Sequence, residues 1–351
     1  MNADADSSID APRIGTLASG PRDSIADVGD VTVGHATLAD GSVQTGVTVI
    51  RPHTADVYRE PLPAASAVLN GFGKTTGLLQ LDELGMLESP IALTNTFAVG
   101  TIATAMIRHA VAANSAIGRT SPTLNPLVAE CNDGWLNDLH AFAVGEAHYR
   151  LAHDAATADF AQGAVGAGRG MSCFELKGGI GSASRRTTDP RWIVGALVLA
   201  NFGRLAQLTI AGLPIGRKLA NASRDAHAGD GSIIVVLAVD APLSHRQLRR
   251  LAFRAGAGIA RTGANFAHGS GDIAIAFATA ERIARRQRNA ATRTTIGDDA
   301  LDPLFDAAAE ATEQAIIHAL FAAETVEGRD GQVRTSITER LPDWRTRWPP
   351  Q

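Results

Sequence analysis

Gly231-Ser232 is the residue pair with the most chemical promise. It stands where a polar run punctuated by glycine (217–231) gives way to the β-branched, apolar run 233–239. The first kind of run reads as a surface loop and the second as a buried strand. A serine hydroxyl is a weak nucleophile unless a base stands beside it. No Gly-x-Ser-x-Gly elbow surrounds Ser232, whose neighbours are Gly231 and Ile233. Breaking the peptide bond before Ser232 would supply the base. An α-amine has an ordinary pKa of about 7.7–8.0, so a useful fraction is neutral near pH 7. That amine lies in the same residue as the hydroxyl it would activate. Glycine in the preceding position suits the kinked backbone an acyl shift requires. Taken alone, the pair reads first as an ordinary loop-to-strand junction.

Other motifs carry less. Gly73-Lys74-Thr75 looks like the end of a phosphate loop, but Walker A needs glycine five positions before Gly73, and Val68 stands there. A tight structural turn is the better reading. Gly178-Gly179-Ile180-Gly181 lacks the dinucleotide-binding spacing and a suitably placed ribose-binding acid. His140, His148 and His153 lie near one another without metal-ligand spacing, and read as solvated residues on a helical stretch. Arg246, Arg249, Arg250 and Arg254 recur around one helix as a solvated face.

The elements that must position these residues follow from periodicity. Residues 31–35 and 43–50 read as strands joined by an Asp40-Gly41 turn. Leu78, Leu81, Leu84 and Leu87 repeat at helical spacing over 78–87, and an Ala-rich helix is expected over 102–113. Residues 94–100 are a polar, glycine-bearing turn, and 155–181 a loop-rich stretch. Apolar runs 192–200 and 205–211, split by Asn201-Phe202-Gly203-Arg204, read as paired strands. After Ser232 come a strand (233–239), a Ser-capped helix (244–260), a strand (273–278) and a long Ala-rich helix (302–325). Strand pairs flanked by helices favour an α/β fold in which packed sheets are covered by helices.

Composition sets the class. The 351 residues are 45% hydrophobic and 19% charged, enough to bury a large core. A formal net charge of -4 gives no field for nucleic acid or an acidic membrane, so a small-molecule partner is expected. Cys131 and Cys173 stand far apart with no CxxC pair, which points to reduced thiols. The acidic start has no apolar signal-peptide core, and apolar stretches such as 192–200 are too short to span a bilayer. The expectation is a cytoplasmic protein with a flexible tail over 1–23.

Six segments, in order, carry a resemblance: Asp27-Val28-Gly29-Asp30-Val31-Thr32-Val33-Gly34-His35; Gly71-Phe72-Gly73-Lys74-Thr75-Thr76-Gly77; Thr94-Asn95-Thr96; Ala200-Asn201-Phe202-Gly203; Gly229-Asp230-Gly231-Ser232-Ile233; and His268-Gly269-Ser270-Gly271-Asp272. Together they resemble the L-aminopeptidase/D-esterase family of DmpA-type and β-aminopeptidase enzymes, over roughly residues 24–280. The resemblance implies a four-layer α/β/β/α sandwich in one catalytic domain (24–351). It implies self-cleavage into 1–231 and 232–351, and assembly of the resulting heterodimers, expected as a homotetramer. Ser232 matches the family nucleophile, Asn201 a member of its oxyanion hole, and Ser270 with Asp272 its supporting pair. Glu130 matches the carboxylate that grips the substrate's free amino group. The family often has tyrosine two residues after that carboxylate; Asn132 stands there, donating through its amide or marking a differently built oxyanion hole.

The implied activity is hydrolysis of small amino-terminal peptides, amides or esters, with no metal or organic cofactor. An acyltransferase on the same fold, as in the glutamate N-acetyltransferases, is the nearest rival. Those enzymes typically open the second chain with threonine, whereas serine would open it here. An uncut binding protein that keeps the pocket without turnover is the other.

Overall fold

The computed structural model describes residues 9–188, 192–220, 231–285 and 292–348. The chain opens with β1 (Thr32–Asp40) and β2 (Val43–Arg51), an antiparallel hairpin whose last pair, Asp40↔Val43, leaves only Gly41 and Ser42 in the turn. Gly41 adopts the left-handed conformation (φ 52°) that so short a hairpin favours. β3 (Leu62–Gly71) follows, then α1 (Leu78–Leu84), β4 (Met86–Leu87) and β5 (Ile91–Asn95). Next come α2 (Val99–Ala113), β6 (Leu127–Cys131) and α3 (Glu146–Asp154). The middle of the chain supplies β7 (Ser172–Cys173), β8 (Leu176–Lys177), β9 (Gly179–Arg186), β10 (Ile193–Asn201) and α4 (Ile215–Ala220). The last large elements are β11 (Ser232–Val239), α5 (His245–Arg261), β12 (Gly271–Ala278) and α6 (Asp302–Phe321).

Two sheets form. One has four strands in the order β1-β2-β5-β6 and the other six in the order β4-β3-β12-β11-β10-β9. Alternation sorts the side chains of the central strands onto two faces. Ile234, Val236, Ile273, Ile275 and Phe277 join Ile50, Leu93 and Ala129 in a core between the sheets. Val235, Leu237, Ala274 and Ala276 face the opposite way, into a core with Leu248, Leu251 and Ile259 of α5 and Leu304, Ala311 and Ala315 of α6. A third core joins Val47, Val49 and Val128 to Ile102 and Met106 of α2 and Tyr149 of α3. The layers therefore run helix, sheet, sheet, helix, which is the expected α/β/β/α sandwich.

α5 starts where a Ser-x-x-Gln box dictates. The Ser244 hydroxyl accepts the Gln247 backbone N–H, and the Gln247 side chain accepts the Ser244 N–H at 3.0 Å. α6 is alanine-rich because it presses on the sheet: a Cβ on Gly181 of β9 would lie 1.9 Å from the Ala315 carbonyl oxygen.

Several expectations need correction. Residues 205–211 are not a strand. Gly203 turns the chain at φ 85°, and Leu205, Leu208 and Ile210 bury themselves singly from a short 3-10 turn and loop. The antiparallel partners of β10 are β9, which begins at the end of the stretch expected to be loop, and β11. The helix over 78–87 stops at Leu84, because Gly85 is left-handed and Met86–Leu87 pairs with Leu62 and Pro63 of β3. Residues 9–23, expected in a flexible tail, are packed: Ile14 is buried, its N–H donates to Gln314 Oε1 at 2.7 Å, and its carbonyl accepts from Arg185. Residues 96–113 are long and apolar enough to span a membrane by length and composition, which the sequence reading overlooked. In the fold they form a 3-10 turn and α2, whose Ile102 and Met106 pack on the four-stranded sheet. Of the loop expected over 217–231, Arg217–Ala220 end α4, and 221–230 lie outside the described residues.

Candidate active site

Three strand ends meet at Ser232. It is the first residue of β11, sits opposite Asn201, the last residue of β10, and pairs on its other side with Gly271, the first residue of β12. Alternation puts the side chains of Ser232 and Asn201 on the inter-sheet face, beyond Ile234 and Leu199. Both are nearly buried. The Gly271 N–H donates to Ser232 Oγ at 3.1 Å, fixing where the hydroxyl points.

The Asn201 carboxamide is held at both ends. Its Oδ1 accepts the Ser172 N–H at 2.7 Å, and its Nδ2 donates to the Asn132 carbonyl at 2.9 Å. A primary amide carries two N–H bonds, so one donor remains beside the serine directly across the strand pair.

Asp272 pairs in register with Ile233, and shares the helix-facing side of the sheet with Ala274 and Ala276. It therefore approaches residue 232 from the face opposite the serine hydroxyl. The Ser270 hydroxyl donates to Asp272 Oδ1 at 2.6 Å, while the buried Oδ2 has no hydrogen-bond partner among the described residues. Burial raises the Asp272 pKa to about 6; the Ser270 hydroxyl and the nearby Ile233 amide pull the other way. A cavity of about 330 Å³ opens on this side, lined in part by Gly231, Ser270, Asp272, Phe202, Phe266 and His268.

Glu130 arrives from the other sheet, one residue before the end of β6. Its carboxylate is buried, accepting the Lys74 N–H at 2.8 Å and the Thr96 hydroxyl. Gly73 fills the space between it and the strand ends: a Cβ there would lie 3.7 Å from Glu130 Oε1 and 3.8 Å from Gly271 Cα. The Gly73-Lys74-Thr75 turn is thus a cradle for a carboxylate, and the Lys74 ammonium lies over the Phe72 ring at 4.3 Å. Next to Glu130, burial first and then the charges of Glu130 and Asp272 push the Cys131 thiol well up, so it stays protonated.

The structure brings Ser232, Asn201, Ser270, Asp272 and Glu130 together around one strand end. Asn132 joins differently from expectation. Its side chain is turned back on its own loop, with Oδ1 accepting the Gly134 N–H at 2.9 Å, and it meets Asn201 through its main-chain carbonyl. Main-chain donors were missed altogether: the amides of Gly271, Ser172 and Lys74 have no sequence signal, because any residue can supply them. Thr96 was visible only as part of the Thr94-Asn95-Thr96 segment. Arg246 and Arg250, read as a solvated face, pair with Asp298 at 2.7 and 3.4 Å.

Comparison with known proteins agrees with this geometry. The model of "Peptidase family S58" matches residues 23–334. A β-peptidyl aminopeptidase, BapA of Sphingosinicella microcystinivorans, is 38% identical over 92% of this chain and 86% of its own. Among solved structures, a Burkholderia sp. β-aminopeptidase superposes with a TM-score of 0.88 at 39% identity, covering 97% of this chain and 98% of its own. The L-aminopeptidase D-Ala-esterase/amidase of Ochrobactrum anthropi, described as a variant of the Ntn hydrolase fold, gives 0.88 at 35% identity and 97% of each chain. Strand-end geometry, fold and relatives agree: this chain belongs to peptidase family S58, a hydrolase of the aminopeptidase kind.

Proposed function

We propose that the chain cuts itself between Gly231 and Ser232 and then removes small amino-terminal residues from peptides, amides or esters through an acyl-enzyme on Ser232. The observation that carries this reading is the position of residue 232 at a strand start, with a hydroxyl on one face and the Ser270–Asp272 pair on the other. A new α-amine at that position would lie in the strand backbone between them. Asp272 Oδ2, buried without a partner among the described residues, would accept the ammonium, and the neutral amine would take the proton from Oγ.

The uncommitted N–H of Asn201 is a donor for the oxyanion, and losing one such donor costs ~10²–10³ in rate. Glu130 is the buried anion that would pair with the substrate ammonium and so select free amino termini. The β-aminopeptidase relatives make β-amino residues the first substrates to try. The self-cut heterodimers are proposed to assemble as a homotetramer.

Intact mass under denaturing conditions tests the cut. Fragments of 231 and 351 − 231 = 120 residues are expected, and a single uncut chain in the Ser232→Ala protein. Cleavage at this bond in that variant would overturn the assignment. A wild-type chain that stays whole but binds ligand would make it a binding protein.

A further inference from the structure

The outer helical layer contains a second cavity, of about 410 Å³, at the far end of the four-stranded sheet from Ser232. It lies between α2 and α3, above the last residue of β2 and the chain leading into β5. β5 separates the two sites along its length: Asn95 is at the Glu130 end and Ile91 at the cavity end, roughly 13 Å apart for a strand of that length. Volumes of this order hold small organic ligands.

The wall is chemically lopsided. Met106, Ala110, Ala113, Leu124 and Pro90 make it apolar. Two acids reach it, and both are neutralised: Asp56 by Arg59 at 3.3 Å, and Glu88 by Arg285. Arg59 is spent on Asp56, but Arg51 is not spent in this way. Arg51 donates to the Thr54 carbonyl at 3.2 Å and joins no ion pair among the described residues. Tyr149 is 1% exposed, and its hydroxyl makes no hydrogen bond among the described residues, so it is free to meet a ligand in the cavity it lines. Burial raises the Tyr149 phenol and keeps it protonated, against the pull of the nearby Arg51 charge, while burial first and then the His109 and Arg51 charges push His153 toward its neutral form against the Asp154 carboxylate. The His109 and His153 rings lie 4.4 Å apart with their planes tilted by 51° beside them, and His153 is tied to Asp154 at 3.0 Å.

An unpaired guanidinium and an unspent hydroxyl at the end of an apolar slot are complementary to one anionic head on a short apolar body. We propose that this cavity is a second ligand site, separate from Ser232, for small organic monocarboxylates, with Arg51 and Tyr149 holding the carboxylate.

Calorimetry with phenylacetate as the probe tests it. Saturable binding is expected at one site per chain, with the neutral phenylacetamide at least about tenfold weaker. Arg51→Gln and Tyr149→Phe should each weaken phenylacetate about tenfold, while hydrolysis of a small amino-acid amide stays unchanged. Tyr149→Phe removes only a hydroxyl, so it remains informative if Arg51→Gln fails to fold. The Ser232→Ala protein should bind phenylacetate as well as wild type. No saturable binding, equal binding of the amide, indifference to both cavity variants, or loss of binding in Ser232→Ala would each overturn the proposal.

Discussion

At the residue scale, two buried carboxyls set the expected pH behaviour. Asp272 holds its proton below about pH 6 and is an anion above it, because burial disfavours the charge. If the anion must receive the ammonium that forms at residue 232 as the acyl group shifts from nitrogen to Oγ, self-cleavage should accelerate as pH rises through about 6. Asp272→Asn should process at least about tenfold more slowly and show no rise in that window, read as the fraction cut against time in a series of buffers. Asp133 is a purely structural counterpart. Burial raises its pKa to about 7 against hydrogen bonds from Thr45 and Asn137, and the Glu130 charge adds to the push. Between the ordinary Asp value of 3.8 and about 7, the folded chain keeps a proton that the unfolded chain has lost. Stability from this group therefore falls as pH rises across that window, by up to about 4 kcal/mol. Denaturant midpoints at pH 5 and pH 8 should differ less in Asp133→Asn than in wild type.

At the element scale, the small β7–β8 hairpin governs the proposed oxyanion donor. Its turn residues Phe174 and Glu175 both have positive φ (52° and 60°), a conformation costly for side chains of this size. Packing holds it: the Phe174 ring lies 5.1 Å from that of Phe202, and the Phe174 N–H donates to the Phe202 carbonyl at 2.7 Å. Lys177 completes the clamp. Fully buried, its ammonium donates to the carbonyls of Gly168, Met171 and Gly178 at 3.0, 2.9 and 2.7 Å. The same hairpin offers the Ser172 N–H that orients Asn201. Lys177→Met would strand three carbonyls, costing ~3 kcal/mol in chemical denaturation. With Asn201 less well held, kcat should fall several-fold while KM changes little, because the substrate contact proposed at Glu130 would be untouched.

At the scale of the whole molecule, the cut would not free the two pieces. β11 and β12 belong to the 232–351 piece but lie in the middle of the six-stranded sheet, between β3 and β10 of the 1–231 piece. Every residue of β11 and β12 is buried. The processed chains should therefore co-elute in native gel filtration and part only in denaturant. The 232–351 piece expressed alone should be insoluble, since it would expose both edges and both faces of its two strands. Soluble, folded 232–351 would contradict this account.

How much of this was legible follows from which interactions are local. The sequence located Ser232 because a polar loop meeting an apolar strand is a pattern in neighbouring residues. It placed α5 from the Ser244 cap and the two strands on either side of that helix from their apolar runs. Asn201, Ser270 and Asp272, in the ordered segments, and Glu130, outside them, were named through the family resemblance that those segments carry. The partner of β10 was misread because the turn at Gly203 carries the chain away from the sheet, and the strands that pair with β10 are the one just before it, 179–186, and β11 beyond the intervening loop. The turning-away of the Asn132 side chain, the amide donors of Gly271 and Ser172, and the two faces from which Asp272 and the serine hydroxyl approach residue 232 were decided by the tertiary structure alone. Backbone groups are identical along any sequence, and only register, twist and packing determine which of them converge.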